Sequence, residues 1–175
     1  TFEELQQFTL YNTRESIPKL TDVLQLINGR VPLIVELKIA GRDISLCPIA
    51  DEILKEYKGK YCIESFNPLG VGWYRKNRPE IVRGQLADAF MKGKEYNGIL
   101  YFLLQTLMLN FISRPDFVAY NHKYPHMLSR RICRYFYKNT AAAWTIQSEQ
   151  ELKEAKKHFD LFIFDSFVPA KESIL

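Results

Sequence analysis

Six short apolar runs alternate with helical patterns along the chain, and this alternation restricts the fold more than any other feature. The runs are PLIVELK (32–38), YCIESF (61–66), IVRGQL (81–86), DFVAY (116–120), AAAWTI (141–146) and DLFIFD (160–165). Between the first two, residues 46–57 carry Ile49, Ile53 and Leu54 on one helical side, and Gly59 ends the pattern. Ahead of the first, residues 17–28 set Leu20, Val23, Leu24 and Ile27 on one stripe, with Gly29 as the stop. Asn67 before Pro68 caps a helix reaching about Asn77, and residues 98–112 and 125–138 predict two more. Ser148-Glu149-Gln150-Glu151 is a capping box opening a helix to Lys157, and a last helix begins near Pro169. Strict alternation of strand and helix requires parallel strands joined by crossovers, giving a helix-covered sheet that is either doubly wound or a (β/α)8 barrel. At 175 residues, 47% of them hydrophobic, the chain is read as one domain, 1–175, with a real core.

The end of the first run poses the main chemical question. In a strand, Ile34, Glu36 and Lys38 share one side while Leu33, Val35 and Leu37 share the other. If both sides are covered, two charges enter an interior. Unpaired burial of a charge costs several kcal/mol, so mutual pairing, a metal ion or a bound anion must compensate. Read from the residues alone, Glu36 and Lys38 form an ion pair closing a strand. In a barrel their side can be the inner one, at the carboxyl end where such barrels hold their sites.

Composition removes several function classes. A net charge of +4 is too small to indicate nucleic acid, although it suits an anionic substrate or surface. Cys47, Cys62 and Cys133 are an odd set at wide spacing, read as reduced core thiols of a cytoplasmic protein. The most apolar stretch, 98–112, is interrupted by Gln105, Thr106 and Asn110 and is too short to span a bilayer.

Four stretches carry a resemblance: IPKLTDVLQLINGRVPLIVELK (17–38), IESFNPLGVGWYRKNRPEIVRGQLAD (63–88), AWTIQSEQELKEA (143–155) and DLFIFD (160–165). In this order they resemble the glycerophosphodiester phosphodiesterase family, and the resemblance implies a (β/α)8 TIM-barrel-type fold. It also implies that Glu36 ligates a divalent metal, Ca²⁺ or Mg²⁺. Lys38 then contacts the substrate phosphate as a catalytic and binding residue, and Trp144 lines the substrate pocket. The implied reaction is metal-dependent hydrolysis of a small glycerophosphodiester to glycerol phosphate and an alcohol. Hard carboxylate oxygen and a point-charge ammonium suit such a cation and such a phosphate.

The departures are specific. The family's His-Arg-Gly, His-Asp and Glu-x-Asp motifs are absent, and His122, His126 and His158 stand in no matching context. By order of motifs the chain begins after the second β/α unit, which predicts an incomplete barrel of about six of eight units. The chain alone is therefore expected to be inactive; the alternative is a non-catalytic scaffold or interaction module. Gln147 stands where the family usually has asparagine, and Phe164 where a small polar residue is frequent.

The remaining candidates have plainer readings. Glu64 reads as a satisfied surface or rim carboxylate, Asp165 as a turn or mouth-facing residue, and the three histidines as surface or cap residues. Arg130, Arg134 and Lys138 recur at helical spacing with Arg131 beside them, next to the apolar 98–112 segment. That juxtaposition suits an anionic membrane surface, while its plain reading is a solvated face. An incomplete barrel leaves strand edges at 32–38 and 160–165, expected to be covered by a second copy or by a missing N-terminal segment.

Overall fold

All six apolar runs form strands: β1 (Leu33–Glu36), β2 (Tyr61–Ser65), β3 (Arg83–Ala87), β4 (Phe117–Asn121), β5 (Thr140–Ile146) and β6 (Leu161–Phe164). The computed structural model describes residues 1–11, 13–93 and 98–174. Its helices are α1 (Phe2–Leu5), α2 (Leu20–Ile27), α3 (Leu46–Leu54), α4 (Pro68–Asn77), α5 (Ile99–Gln105), α6 (Asn110–Ser113), α7 (Leu128–Tyr137), α8 (Glu149–Ala155) and α9 (Lys171–Ile174). The chain divides into two compact units, 1–33 with 48–60, and 34–47 with 61–175.

In the first unit, Thr1 and Glu4 form a capping box at the start of α1. Helix α2 stops at Asn28 in the left-handed conformation, and Gly29 follows at φ 73°. The Gly29 N–H donates to the Tyr57 hydroxyl at 3.1 Å, and a Cβ on Gly29 would stand 3.5 Å from the backbone of Gly59. This close approach ties the end of α2 to the turn after α3.

The second unit holds the sheet. Its strand order is β1-β2-β3-β4-β5-β6, the order of the chain, and the ladders from β2 to β6 are parallel. Each strand is followed by helix, so this is the incomplete (β/α)8-type architecture that the resemblance implies, with β1 and β6 at its edges. One side of the sheet packs on helices. Val118, Tyr120, Ala141 and Ala143 meet Cys133 of α7 and Leu152 of α8 in an apolar cluster. The other side carries a smaller cluster of strand residues, Leu86, Phe117, Ala119 and Ala142, flanked by Cys62, Phe66 and Trp144.

Two expectations about helices fail. The 98–112 segment is not one helix: α5 ends at Gln105 and α6 begins at Asn110, with Leu107 at φ 56° between them. The Thr106 hydroxyl donates back to the Phe102 carbonyl at 2.6 Å, and the turn carries Leu107 into the helix-side cluster. Burial of one leucine outweighs continuation of the helix. In α7, Arg130 is not part of a solvated face: it is 5% exposed, donates to the Pro125 and His158 carbonyls, and lies over the Phe159 ring. Arg134 forms a two-pronged pair with Asp160, at 3.1 and 2.7 Å. Both arginines are held by the segment joining α8 to β6, because their spacing points them at it.

Candidate functional site

The register of the first two strands decides which side chains meet. The Leu37 N–H donates to the Glu64 carbonyl at 2.8 Å, which in a parallel ladder sets Glu36 opposite Glu64. Glu64 in turn pairs with Gly84, and Gly84 with Phe117. Period-two alternation then puts Glu36, Glu64, Cys62, Leu86 and Trp144 on the side of the sheet away from the helices. A Cβ on Gly84 would lie 2.2 Å from the Phe117 ring, so glycine is required there and the ring covers the position beside Glu64.

The two glutamates differ in surroundings. Glu36 lies on the edge strand and pairs with Lys38, Nζ to Oε2 at 3.3 Å, with side-chain exposures of 31% and 82%. The charges at the end of PLIVELK are thus not carried into an interior. Glu64 is the buried charge, 6% exposed, and its Oε2 has no hydrogen-bond partner among the described residues. Burial, with the nearby Glu36 carboxylate second, pushes the Glu64 carboxyl up to about 7. The Cys62 thiol is pushed up to about 11 by burial and then by Glu64.

Toward the carboxyl ends of the strands the wall is aromatic. Trp144 donates its indole N–H to the Ala119 carbonyl at 3.1 Å and meets Phe66 edge-to-face at 5.4 Å. Phe66 meets Phe90 at 6.0 Å, and Phe90 meets Tyr101 at 5.9 Å. Trp144 therefore shares the non-helical side with Glu36 and Lys38, separated from them by β2, β3 and β4.

The other candidates fall elsewhere. Asp165 is a turn residue, accepting from Gln147 at 3.1 Å and from Ser166 at 3.0 Å. His122 is not at the surface: its ring is 3.8 Å from Glu151, beyond hydrogen-bond distance, and burial lowers its pKa. His126 and His158 stack edge-to-face at 4.8 Å, far along the chain from β1. Glu64 was missed by sequence reasoning because alternation alone does not say which parity of YCIESF faces the helices. The available signal was its position three residues before the Asn67 cap, near a strand end like that of Glu36.

With this geometry in place, solved structures provide a comparison. A glycerophosphodiester phosphodiesterase from Parabacteroides distasonis matches 94% of this chain with a TM-score of 0.69 at 19% identity. A phosphodiesterase from Oleispira antarctica, in complex with the product sn-glycerol-3-phosphate, matches 94% with a TM-score of 0.72 at 18% identity. One from Agrobacterium tumefaciens matches 94% with a TM-score of 0.62 at 11% identity. The chain has the fold of the glycerophosphodiester phosphodiesterases. It spans 66% of the length of the first two of these phosphodiesterases and 68% of the third. No protein-family model matches the sequence, and no curated protein matches it.

The divalent metal that the sequence resemblance implies can be set against the donors present. Two carboxylates in lateral register, one with an orphaned buried oxygen, are hard donors of the right kind. No group of three His, Cys, Asp or Glu suited to a metal occurs among the described residues. The donors fit a cation that keeps most of its ligands as water or substrate oxygen, and they do not form a closed cage.

Proposed function

We propose that this chain carries the phosphate- and cation-binding part of a phosphoric diester hydrolase site acting on small glycerophosphodiesters. The observation that carries this reading is the placement of Glu36, Lys38 and Trp144 on one side of a sheet whose fold matches glycerophosphodiester phosphodiesterases. Lys38, exposed and free to reorient around Glu36, binds the phosphate of the substrate. Trp144, held by its bond to Ala119, forms an apolar wall for the glycerol or alcohol part. Glu36 holds the divalent cation, Ca²⁺ or Mg²⁺, which when bound supplies positive charge against the phosphate oxygens. The chain contributes no histidine to this side of the sheet, so the histidine-based proton transfer that the resemblance implies has no counterpart here, and the chain alone is expected not to turn over substrate.

Calorimetric titration with sn-glycerol-3-phosphate in the presence of Mg²⁺ or Ca²⁺ tests the reading. Binding that weakens about tenfold in Lys38→Ala is expected, the loss of one charge-assisted contact. Absence of binding by the unaltered chain overturns it, and release of glycerol phosphate from glycerophosphocholine above background overturns the inactivity.

A second reading, a non-catalytic module at an anionic membrane surface in the cytoplasm, is supported by one patch. Leu128, Ile132, Tyr135 and Phe136 form a solvent-exposed stripe on α7, with Tyr135 at 79%, and Ile99 and Leu100 of α5 are also exposed. Arg131 and Lys138 are exposed on α7, as is Arg134 in its surface pair with Asp160, while Arg130 is buried. No helix among the described residues is long and apolar enough to cross a membrane. Retention on phosphatidylserine vesicles that is lost in Tyr135→Ser/Phe136→Ser supports this reading; no retention at low salt removes it.

A further inference from the structure

A buried carboxylate oxygen without a partner is costly, and Glu64 Oε2 is one among the described residues. Its neighbours do not relieve it. Gly84 on one side brings the Phe117 ring, and Cys62 and Phe66 flank it along β2, so three directions are apolar. On the fourth side is Glu36, a like charge, whose own ammonium partner Lys38 pairs with Glu36 and makes no bond to Glu64. A positive group between the two laterally registered carboxylates would satisfy the orphaned oxygen.

The spacing suits a divalent ion. Neighbouring strands lie about 4.8 Å apart, so side chains in lateral register reach toward a common point at about that separation. Two oxygens on opposite sides of one Ca²⁺, each at about 2.4 Å, are separated by the same distance. Mg²⁺ and related ions are commonly held by one or two carboxylates, with water and substrate phosphate completing the shell.

We propose that Glu64 is a cation ligand acting with Glu36, so that β1 and β2 together form a two-carboxylate seat for a hard divalent ion. This deepens the functional reading above, from which it takes Glu36 as a ligand, and adds a residue that the resemblance does not assign. The seat binds weakly by itself and more tightly when a phosphate monoester fills the remaining positions. Lys38 and the cation then contact the same phosphate from two sides.

Mn²⁺ is the probe. The 175-residue chain is titrated with Mn²⁺, with and without sn-glycerol-3-phosphate, and free Mn²⁺ is read by electron paramagnetic resonance. Binding by the unaltered chain that weakens tenfold or more in Glu64→Gln is expected, while melting in chelator stays at or above that of the unaltered chain. Equal Mn²⁺ affinity in Glu64→Gln, or no binding by the unaltered chain at millimolar Mn²⁺, overturns the proposal. Nuclear magnetic resonance of the unaltered chain needs no variant: Mn²⁺ should first broaden the amide signals of 35–37 and 63–65, and broadening confined elsewhere also overturns it. Loss of sn-glycerol-3-phosphate binding with the cation seat intact would sink the phosphodiester reading alone. Phosphate binding without any Mn²⁺ effect would sink the seat alone.

Discussion

The two sides of the sheet are built on opposite principles. The helix side is a continuous apolar layer in which Ile146, Ala143 and Tyr120 are wholly buried against α7 and α8 neighbours such as Cys133 and Leu152. The other side packs a smaller cluster, Leu86, Phe117, Ala119 and Ala142 among the described residues, then gives way to two glutamates in lateral register at β1–β2 and an aromatic wall at Trp144. The difference teaches where burial is complete and where it is not: one side is a closed apolar layer, and the other leaves a buried carboxylate oxygen of Glu64 without a hydrogen bond among the described residues.

Three substitutions or conditions sharpen that contrast. The largest effect is expected on the helix side, where Ile146→Ala removes a fully buried side chain and should cost about 3 kcal/mol in denaturant unfolding. A loss below about 1 kcal/mol would show that this side is not the chief source of stability. Next comes the pH dependence of Glu64 in chelator. Its folded-state pKa, about 7, lies above the unfolded value of 4.5, so the folded state binds the proton more tightly. The stabilising contribution is complete below the unfolded value and is lost as pH rises through about 7, an effect on the order of 3 kcal/mol. Glu64→Gln should flatten this part of the profile; an unchanged slope between pH 5 and pH 8, conditions chosen to bracket that range at about one proton per chain, would break the comparison. The smallest effect is expected for Lys38→Ala, whose ammonium is mostly exposed, with a change under about 0.5 kcal/mol in urea unfolding.

Much of the fold was legible because its signals are local. The Asn67 cap, with Pro68 next, starts α4 as the sequence predicts, and Ser148 accepts from the Glu151 N–H at the start of α8. Parallel strands covered on one side by helices need apolar runs, and all six runs became strands. What was not legible depends on partners distant in sequence. Arg134 meets Asp160, 26 positions away, and the break at Leu107 follows from a core formed by β4, β5 and α8. Within the site, the parity of Glu36 and Lys38 was readable in PLIVELK. That Glu64 lies beside Glu36 required the register between β1 and β2, which no single stretch encodes.

The strand order carries a consequence for how the molecule is made. Each strand pairs with the one synthesised just before it, so no pairing waits for a distant segment. As the chain leaves the ribosome at about 5–20 residues per second, every new β/α unit can dock on a template already in place. Assembly from β1 to β6 then proceeds by accretion, and Glu36 and Glu64 are in register long before β6 has been translated.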